Sequence, residues 1–448
     1  MLEKTILFVK LVGYSIAIYA DLLGRTIAVY VQKFILRKSH KRSRPQGTKP
    51  RNIVIIGASF AGYHTARLLS ASLPADGSFR IVVIEPNSHF NFTWVLPRFC
   101  VVSGHEHKAF IPYGPYLSVA PEGCICWIKD RVTSIERTSV KLRSGEEVPY
   151  DFLVVATGSG EGEGLPSRVG SEEKRDGIEL LKDVQACIRD AKTVVVVGGG
   201  AAGVELATDA KSAYPGKHVV LVHSRNAVMH RFGPEFQQAA LKGLTELGVE
   251  VILGERLIRE DKREGIVTLS SGRTVECDYL VRCTGQKPAS QVLAGLSPSS
   301  ISESGHIRVK PTLQIADEAF HNIYTCGDVA NTGVRNPNAR SAYHQAKIVA
   351  DNIALAMRGK PPRHTYTPHW ADRVIKLTLG LNKSITHFED GKTELLFHAK
   401  ETDPALMSGD AWRALGAKPF DDNFGPASLA FKYEGEEETK FKQAEVLS

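Results

Sequence analysis

The segment Thr193-Val-Val-Val-Val197-Gly198-Gly-Gly200-Ala-Ala-Gly203 joins a β-branched run to three spaced glycines. A run of valines without polar alternation reads as a strand covered on both faces, as in a parallel sheet. Gly198, Gly200 and Gly203 match GxGxxG without departure, and Val204-Glu205-Leu-Ala-Thr-Asp209 continues as a helix. His218-Val-Val-Leu-Val222 supplies the second strand of a βαβ unit. In such a unit the first glycine makes the turn, the second admits a pyrophosphate at the helix N-terminus, and the third lets helix and strand pack closely. A carboxylate after the second strand would take the ribose 2′-hydroxyl of NADH. The residues there are His223, Ser224 and Arg225, which permit NADPH as well.

About 140 residues earlier the pattern occurs once before. Asn52-Ile-Val-Ile-Ile56 leads into Gly57-Ala58-Ser59-Phe60-Ala61-Gly62, and Arg80-Ile-Val-Val-Ile84 ends in Glu85. Here the carboxylate is present, placed to accept from a ribose hydroxyl. The middle glycine is replaced by Ser59, which leaves less room for the pyrophosphate. Two such motifs in one chain point to two nucleotides, one a flavin and the other a nicotinamide.

Three further stretches return the chain across these domains. Val148-Pro-Tyr-Asp-Phe-Leu-Val-Val-Ala156-Thr157-Gly158 ends a strand in small residues, and Cys277-Asp-Tyr-Leu-Val-Arg-Cys-Thr284-Gly285 repeats the arrangement. Small residues suit a backbone that passes close to a cofactor. Asn322-Ile-Tyr-Thr-Cys-Gly327-Asp328 follows, with a helical stretch over 339–356. A carboxylate placed like Asp328 can bond a ribityl hydroxyl. The fold expected is α/β: two Rossmann-like dinucleotide-binding domains, an α+β C-terminal domain and an N-terminal apolar helix. The flavin domain (51–160 and 286–363) is split by an inserted NAD(P)H domain (161–285). An arm and linker (1–50) precede it, and a C-terminal domain (364–448) follows.

Composition narrows the class. Of 448 residues, 43% are hydrophobic and 23% charged, which excludes a disordered chain and a polytopic membrane protein. Residues 1–50 carry 10 of the 56 basic residues and 2 of the 49 acidic ones, a net of +8, so the remaining 398 carry −1. A body of that charge argues against nucleic-acid binding. The seven cysteines show no CxxC or CxxxxC, so neither a metal ribbon nor a dithiol beside the flavin is expected. No metal site is expected elsewhere.

The arm itself is apolar from Thr5 to Leu36 and is followed by Arg37-Lys-Ser-His-Lys-Arg-Ser-Arg44. Its longest uncharged stretch, Leu11 to Ala20, is shorter than the roughly 18 residues of a clean transmembrane span. On a helical wheel Glu3, Lys4, Lys10, Asp21, Arg25 and Lys33 fall within an arc of about 140°. The expectation is a helix lying in a membrane interface, its charged stripe facing water, or else a tilted span whose paired charges snorkel, with residues 3–44 forming the membrane contact. A mitochondrial membrane suits a basic, apolar arm, with the cytoplasmic face of another membrane as the alternative.

The order of these motifs, with Asn91-Phe-Thr-Trp-Val-Leu-Pro-Arg98 and His107-Lys-Ala-Phe-Ile-Pro-Tyr113, resembles the AMID-type, apoptosis-inducing-factor-like flavoproteins. That group includes the ferroptosis-suppressor quinone reductases. Val222-His-Ser224 and the stretch 377–388 also resemble it, and the likeness covers residues 51–448. It implies noncovalent FAD, NAD(P)H as hydride donor, and a quinone-like acceptor, with the cofactors carrying the chemistry. Carried over by position, Gly57, Ser59, Gly62, Arg98, Val132 and Asp328 would contact FAD. Arg98 would approach the pyrophosphate and Val132 the adenine. Glu205 is the side-chain candidate near the nicotinamide, and Lys108 would lie near the flavin. By the same resemblance the tail domain would pack beside the flavin or make a homodimer contact. Two other functions compete: a flavin reductase of a protein or pathway-specific acceptor, and a cell-death effector.

Overall fold

The computed structural model describes residues 3–14, 16, 17, 20, 23, 24, 27 and 49–422, apart from 75, 119, 121, 122, 162 and 163. The chain enters its body through β1 (Arg51–Ile56), α1 (Phe60–Ser70) and β2 (Phe79–Ile84). A short helix α2 (Leu96–Phe99) and strands β3 (Ile125–Ile128) and β4 (Phe152–Val155) follow. After α3 (Lys174–Asp190) comes a second unit: β5 (Thr193–Val197), α4 (Ala201–Ala213), β6 (His218–His223), α5 (Pro234–Leu247), β7 (Glu250–Leu253) and β8 (Tyr279–Arg282). The chain then returns through β9 (Ile323–Thr325) and α6 (Ala339–Ala356). It ends, among the described residues, in β10 (Ile375–Thr378), β11 (Lys383–Glu389), β12 (Glu394–Lys400) and α7 (Ser408–Ala414).

Two parallel sheets result. The first has the order β9-β4-β1-β2-β3, with Val54 opposite both Val82 and Leu153. The second has the order β7-β6-β5-β8, with Val195 opposite Val220 and Leu280. In each sheet the motif strand, β1 or β5, is central and buried along its length apart from Arg51. That is why its sequence is apolar without alternation. Strand β9 lies beside β4, with Ile323 opposite Leu153, although the whole second unit lies between them in the chain, so the first sheet is completed only after the second unit has been made. Ser159–Glu161 and Lys287–Pro288 pair antiparallel where the chain leaves and re-enters. The last sheet, β10-β11-β12, is antiparallel. Helix α4 packs against α2 from the first unit and against β10 from the last, so all three parts meet on it.

The N-terminal segment departs from expectation in its orientation. Residues 3–14 are helical, but their charged side faces the body. Lys4 Nζ pairs with Glu235 at 2.8 Å and Lys10 Nζ with Asp390 at 2.6 Å, while Leu7 is fully buried. Tyr14 bonds His344 Nε2 at 3.1 Å and stacks on His369. Ile6, Phe8, Val9, Val12 and Ile16 face outward. The physical reason is that carboxylates on α5 and after β11 offer direct partners to the two lysines. Asp21, Arg25, Lys33 and the basic run 37–44 lie outside the described residues. Among the described residues no helix is long and apolar enough to cross a membrane.

Candidate functional site

Each nucleotide motif opens a cavity at the carboxyl edge of its sheet. The first has a volume of about 780 Å³ and is lined by Gly57, Ser59, Phe60, Ala61, Glu85, Val132, Ala156, Thr157, Gly158, Gly327 and Asp328. Gly62 and Ala58 stand behind it. A Cβ on Gly62 would come within 1.9 Å of the Gly57 carbonyl oxygen, so only glycine lets α1 approach the turn. Ser59 stands at the N-cap of helix α1 and makes no side-chain cap, and the first turn carries no acid. Its free amides and positive dipole end are left to face an anion.

Glu85 is 3% exposed at the end of β2. Its Oε2 accepts from the Ala58 amide at 2.5 Å, and its Oε1 accepts from Asn87. Burial raises its pKa, against the pull of those hydrogen bonds. A carboxylate has about four acceptor positions, so a ribose hydroxyl can still be taken. At the opposite end Asp328 faces Arg168 at 3.7 Å, and Ser159 donates to it at 3.4 Å. Burial raises Asp328 too, with Arg168 opposing.

The second cavity, about 680 Å³, is lined by Gly198, Gly200, His223, Ser224, Arg225 and Gly285 among others. Gly203 lies behind, its Cβ position 1.9 Å from the Gly198 carbonyl. Gly200, the uncapped N-terminus of α4, has open space where a Cβ would stand. His223 Nδ1 accepts from the Gly199 amide at 3.0 Å, which places its proton on Nε2, 3.3 Å from His230 Nδ1. Burial, with the neighbouring His230 and Arg225, depresses its pKa to about 4, so the ring is neutral.

The two cavities share Ala201, Pro337 and Asn338, and Glu205 lines the first of them one turn further along α4. Glu205 Oε1 accepts from the Thr378 amide at 3.1 Å. Burial pushes this carboxyl up to about 8, so it is largely protonated at neutral pH.

Two expected residues stand elsewhere. Arg98 does not line the first cavity; the neighbouring Pro97 does. Its Nε donates to Asp209 Oδ2 at 2.7 Å and its Nη2 to the Gly380 carbonyl at 3.1 Å. A carboxylate as buried as Asp209 needs a counter-charge, and α2 presents Arg98 to it. Lys108 is also outside both cavities. Its Nζ meets His105 Nδ1 at 2.8 Å and the Phe420 ring, while its carbonyl accepts from Trp412 Nε1, so α7 covers it.

Several lining residues escaped the sequence reading. Arg131 and Arg168 in the first cavity, and Arg231, Arg256, Arg282 and Arg373 in the second, follow no spacing rule tied to the glycine motifs. Arg256 had a usable signal, because it follows β7, the third strand of a βαβ succession. The seven cysteines are all free thiols in the described residues.

The uncapped helix starts, the open position at Gly200 and the buried Glu85 fit a dinucleotide in each cavity. The class defined is a flavoprotein with two dinucleotide-binding domains. A family profile described as pyridine nucleotide-disulphide oxidoreductase matches residues 51–346, and the chain belongs to that family. Within it the chain is an apoptosis-inducing-factor-like FAD oxidoreductase that uses FAD and NAD(P)H. It is 32% identical over 404 residues to Fe-regulated protein 8 of Mycosarcoma maydis, covering 82% of this chain and 98% of that one. It is 31% identical to ferroptosis suppressor protein 1 of Homo sapiens, covering 82% and 96%. The sulfide:quinone oxidoreductase of Aquifex aeolicus has the same fold, with a TM-score of 0.65 at 18% identity over 82% of this chain and 90% of that one. An NAD-dependent persulfide reductase from A. fulgidus gives 0.59 at 23% identity, covering 76% of this chain and 64% of its own.

Proposed function

We propose that the protein is an NAD(P)H:quinone-type oxidoreductase working at an intracellular membrane. The observation that carries this reading is the junction of the two cavities at Ala201, Pro337 and Asn338, with Glu205 beside it. Hydride acceptance from NAD(P)H and two-electron reduction of a quinone are the chemistry that FAD would supply there. The chain's own residues bind and orient. Glu85 and the α1 amides hold one nucleotide, Asp328 holds its ribityl chain, and Gly198, Gly200 and His223 shape the seat of the other. Glu205 contributes a neutral carboxyl at the junction. The absence of CxxC and CxxxxC supports a small-molecule acceptor over a dithiol relay.

Arg225, Arg231 and Arg256 line the second cavity with Arg282 and Arg373, which pair with Glu260 and Glu389, and the lining carboxylate Glu255 has its Oε2 taken by Ser270 and Ser271. This balance favours a donor with an extra phosphate, NADPH. The outward apolar side of residues 6–16 supports a bilayer contact, which would bring a lipid-soluble acceptor to the enzyme. Removing residues 1–50 tests the reading. Turnover of a long-chain quinone in liposomes should fall at least tenfold while a soluble quinone is turned over unchanged. Equal turnover of both by the truncated protein would refute the membrane role.

A further inference from the structure

The buried pair Arg98–Asp209 has no part in the nucleotide seats described above, yet it sits where the three parts of the chain meet. Arg98 comes from α2, Asp209 from α4, and the Gly380 carbonyl from the turn after β10. Arg98 is 1% exposed and Asp209 0%. Each keeps one polar atom without a hydrogen bond, Arg98 Nη1 and Asp209 Oδ1. Burying two charges so incompletely satisfied is costly, and well-packed apolar residues often serve stability equally well. The arrangement therefore calls for a role other than holding the domains together.

Asp209 lies four residues after Glu205 on α4, so the two carboxyls share one face of the helix, a turn apart. The charged and polar groups that face Glu205 are few. On α4 there is Asp209, from α2 there is Arg98, and from β10 there is Thr378 through its amide and hydroxyl. Lys376 and Glu401, paired at 2.7 Å, stand further along that sheet. We propose that Arg98 and Asp209 form a positioning pair that sets the proton occupancy of Glu205 at the junction of the two nucleotide cavities. Asp209 repels a second negative charge a turn away and so keeps the proton on Glu205. Arg98 is fixed by Asp209 and Gly380 and limits that repulsion. Glu205 Oε1 is engaged by the Thr378 amide, so the proton resides on Oε2. The cavity junction is thus offered an O–H donor and no net charge. The elevated value of Glu205 agrees with this, since Asp209 raises it and Arg98 lowers it after the larger effect of burial. The inference rests on the proposed function only in taking Glu205 as the residue beside the reacting cofactors.

The test uses the full-length, flavin-loaded protein and two opposed substitutions. Anaerobic bleaching of the flavin by NADPH is followed against pH in the wild type, Asp209→Asn and Arg98→Met, with Glu205→Gln as reference. Asp209→Asn should move the midpoint down by about one pH unit or more, because it removes the repelling charge and frees Arg98. Arg98→Met should move it up by a similar amount, and Arg98→Lys should restore it. A merely structural pair would slow both variants without shifts of opposite sign. Midpoints that shift in one direction, or not at all, overturn the proposal. Infrared pH titration supplies an independent readout, without turnover and in the wild type alone. A protonated-carboxyl band that Glu205→Gln removes should persist at neutral pH. Its absence there overturns the proposal even if neither charge-removing variant folds. Flavin that NADPH never bleaches would refute the proposed function and leave the infrared result to decide this inference by itself.

Discussion

Lys10 Nζ lies 2.6 Å from Asp390 Oδ2, so the charged side of the N-terminal helix is turned onto the body and its apolar side is turned out. Such pairs are largely exposed at the lysine and contribute little, typically 0.2–1 kcal/mol. Leu7 is fully buried and matters more. We expect Lys10→Ala to leave the melting temperature almost unchanged. Leu7→Ala, which deletes buried apolar contact, should cost about 2–5 kcal/mol in docking of the segment. Hydrogen exchange over residues 3–14 reads the difference: it should accelerate in Leu7→Ala and not in Lys10→Ala.

Glu85 joins the turn after β1 to the end of β2 through the Ala58 amide. Glu85→Ala removes the ribose acceptor and leaves that amide without its partner. A buried donor left unpaired costs about 1–3 kcal/mol. FAD affinity, measured by fluorescence titration of the apoprotein, should fall by about tenfold to a hundredfold. Unchanged affinity would separate Glu85 from flavin binding.

The glycines of the second motif make a paired prediction. Gly203→Ala drives a Cβ to within 1.9 Å of the Gly198 carbonyl and should prevent folding of the second βαβ unit. Gly200→Ala meets no atom within 4 Å and should keep the fold, with stability within about 1 kcal/mol. Its methyl group stands where the pyrophosphate would approach, so NAD(P)H affinity should drop while flavin content stays full. Calorimetry and a binding titration distinguish the two.

Donor choice tests the arginines. Arg225→Ala should raise KM for NADPH about tenfold and leave KM for NADH within twofold, because a charge-assisted phosphate contact is lost only for the former. A larger effect on NADH would point to the pyrophosphate instead.

Stability against pH follows from Glu205. Its carboxyl titrates near 8 in the folded chain, against an ordinary value of 4.5. Between these values the folded chain binds more protons than the unfolded one. The associated stability is therefore full below about 4.5 and is lost as pH rises through about 8. Glu205→Gln cannot ionise, so its melting temperature should decline less than that of the wild type between about pH 4.5 and about pH 8.

The sequence carried the nucleotide units well because their signals are local. A valine run, glycines at fixed offsets and the terminal Glu85 need no distant partner, and α6 covers the stretch 339–356 that its periodicity marks. What it could not carry depends on remote contacts. Arg98 turns from the cavity because of Asp209, 111 residues away. Lys108 is covered by Trp412, 304 residues on. The helical wheel found the charged stripe of the N-terminal segment but not which way it faces, since Glu235 and Asp390 are 231 and 380 residues distant. The raised carboxyl of Glu205 arises only when β10 closes over α4.

Quinone reduction is tested by rapid anaerobic reduction of the purified, FAD-loaded protein by NADPH and by NADH, each followed by mixing with a quinone or with oxygen. Flavin bleaching should be fast, fastest with NADPH, and reoxidation by quinone should run well ahead of reoxidation by oxygen. A flavin that bleaches but is not reoxidised faster by quinone than by oxygen would contradict quinone reduction.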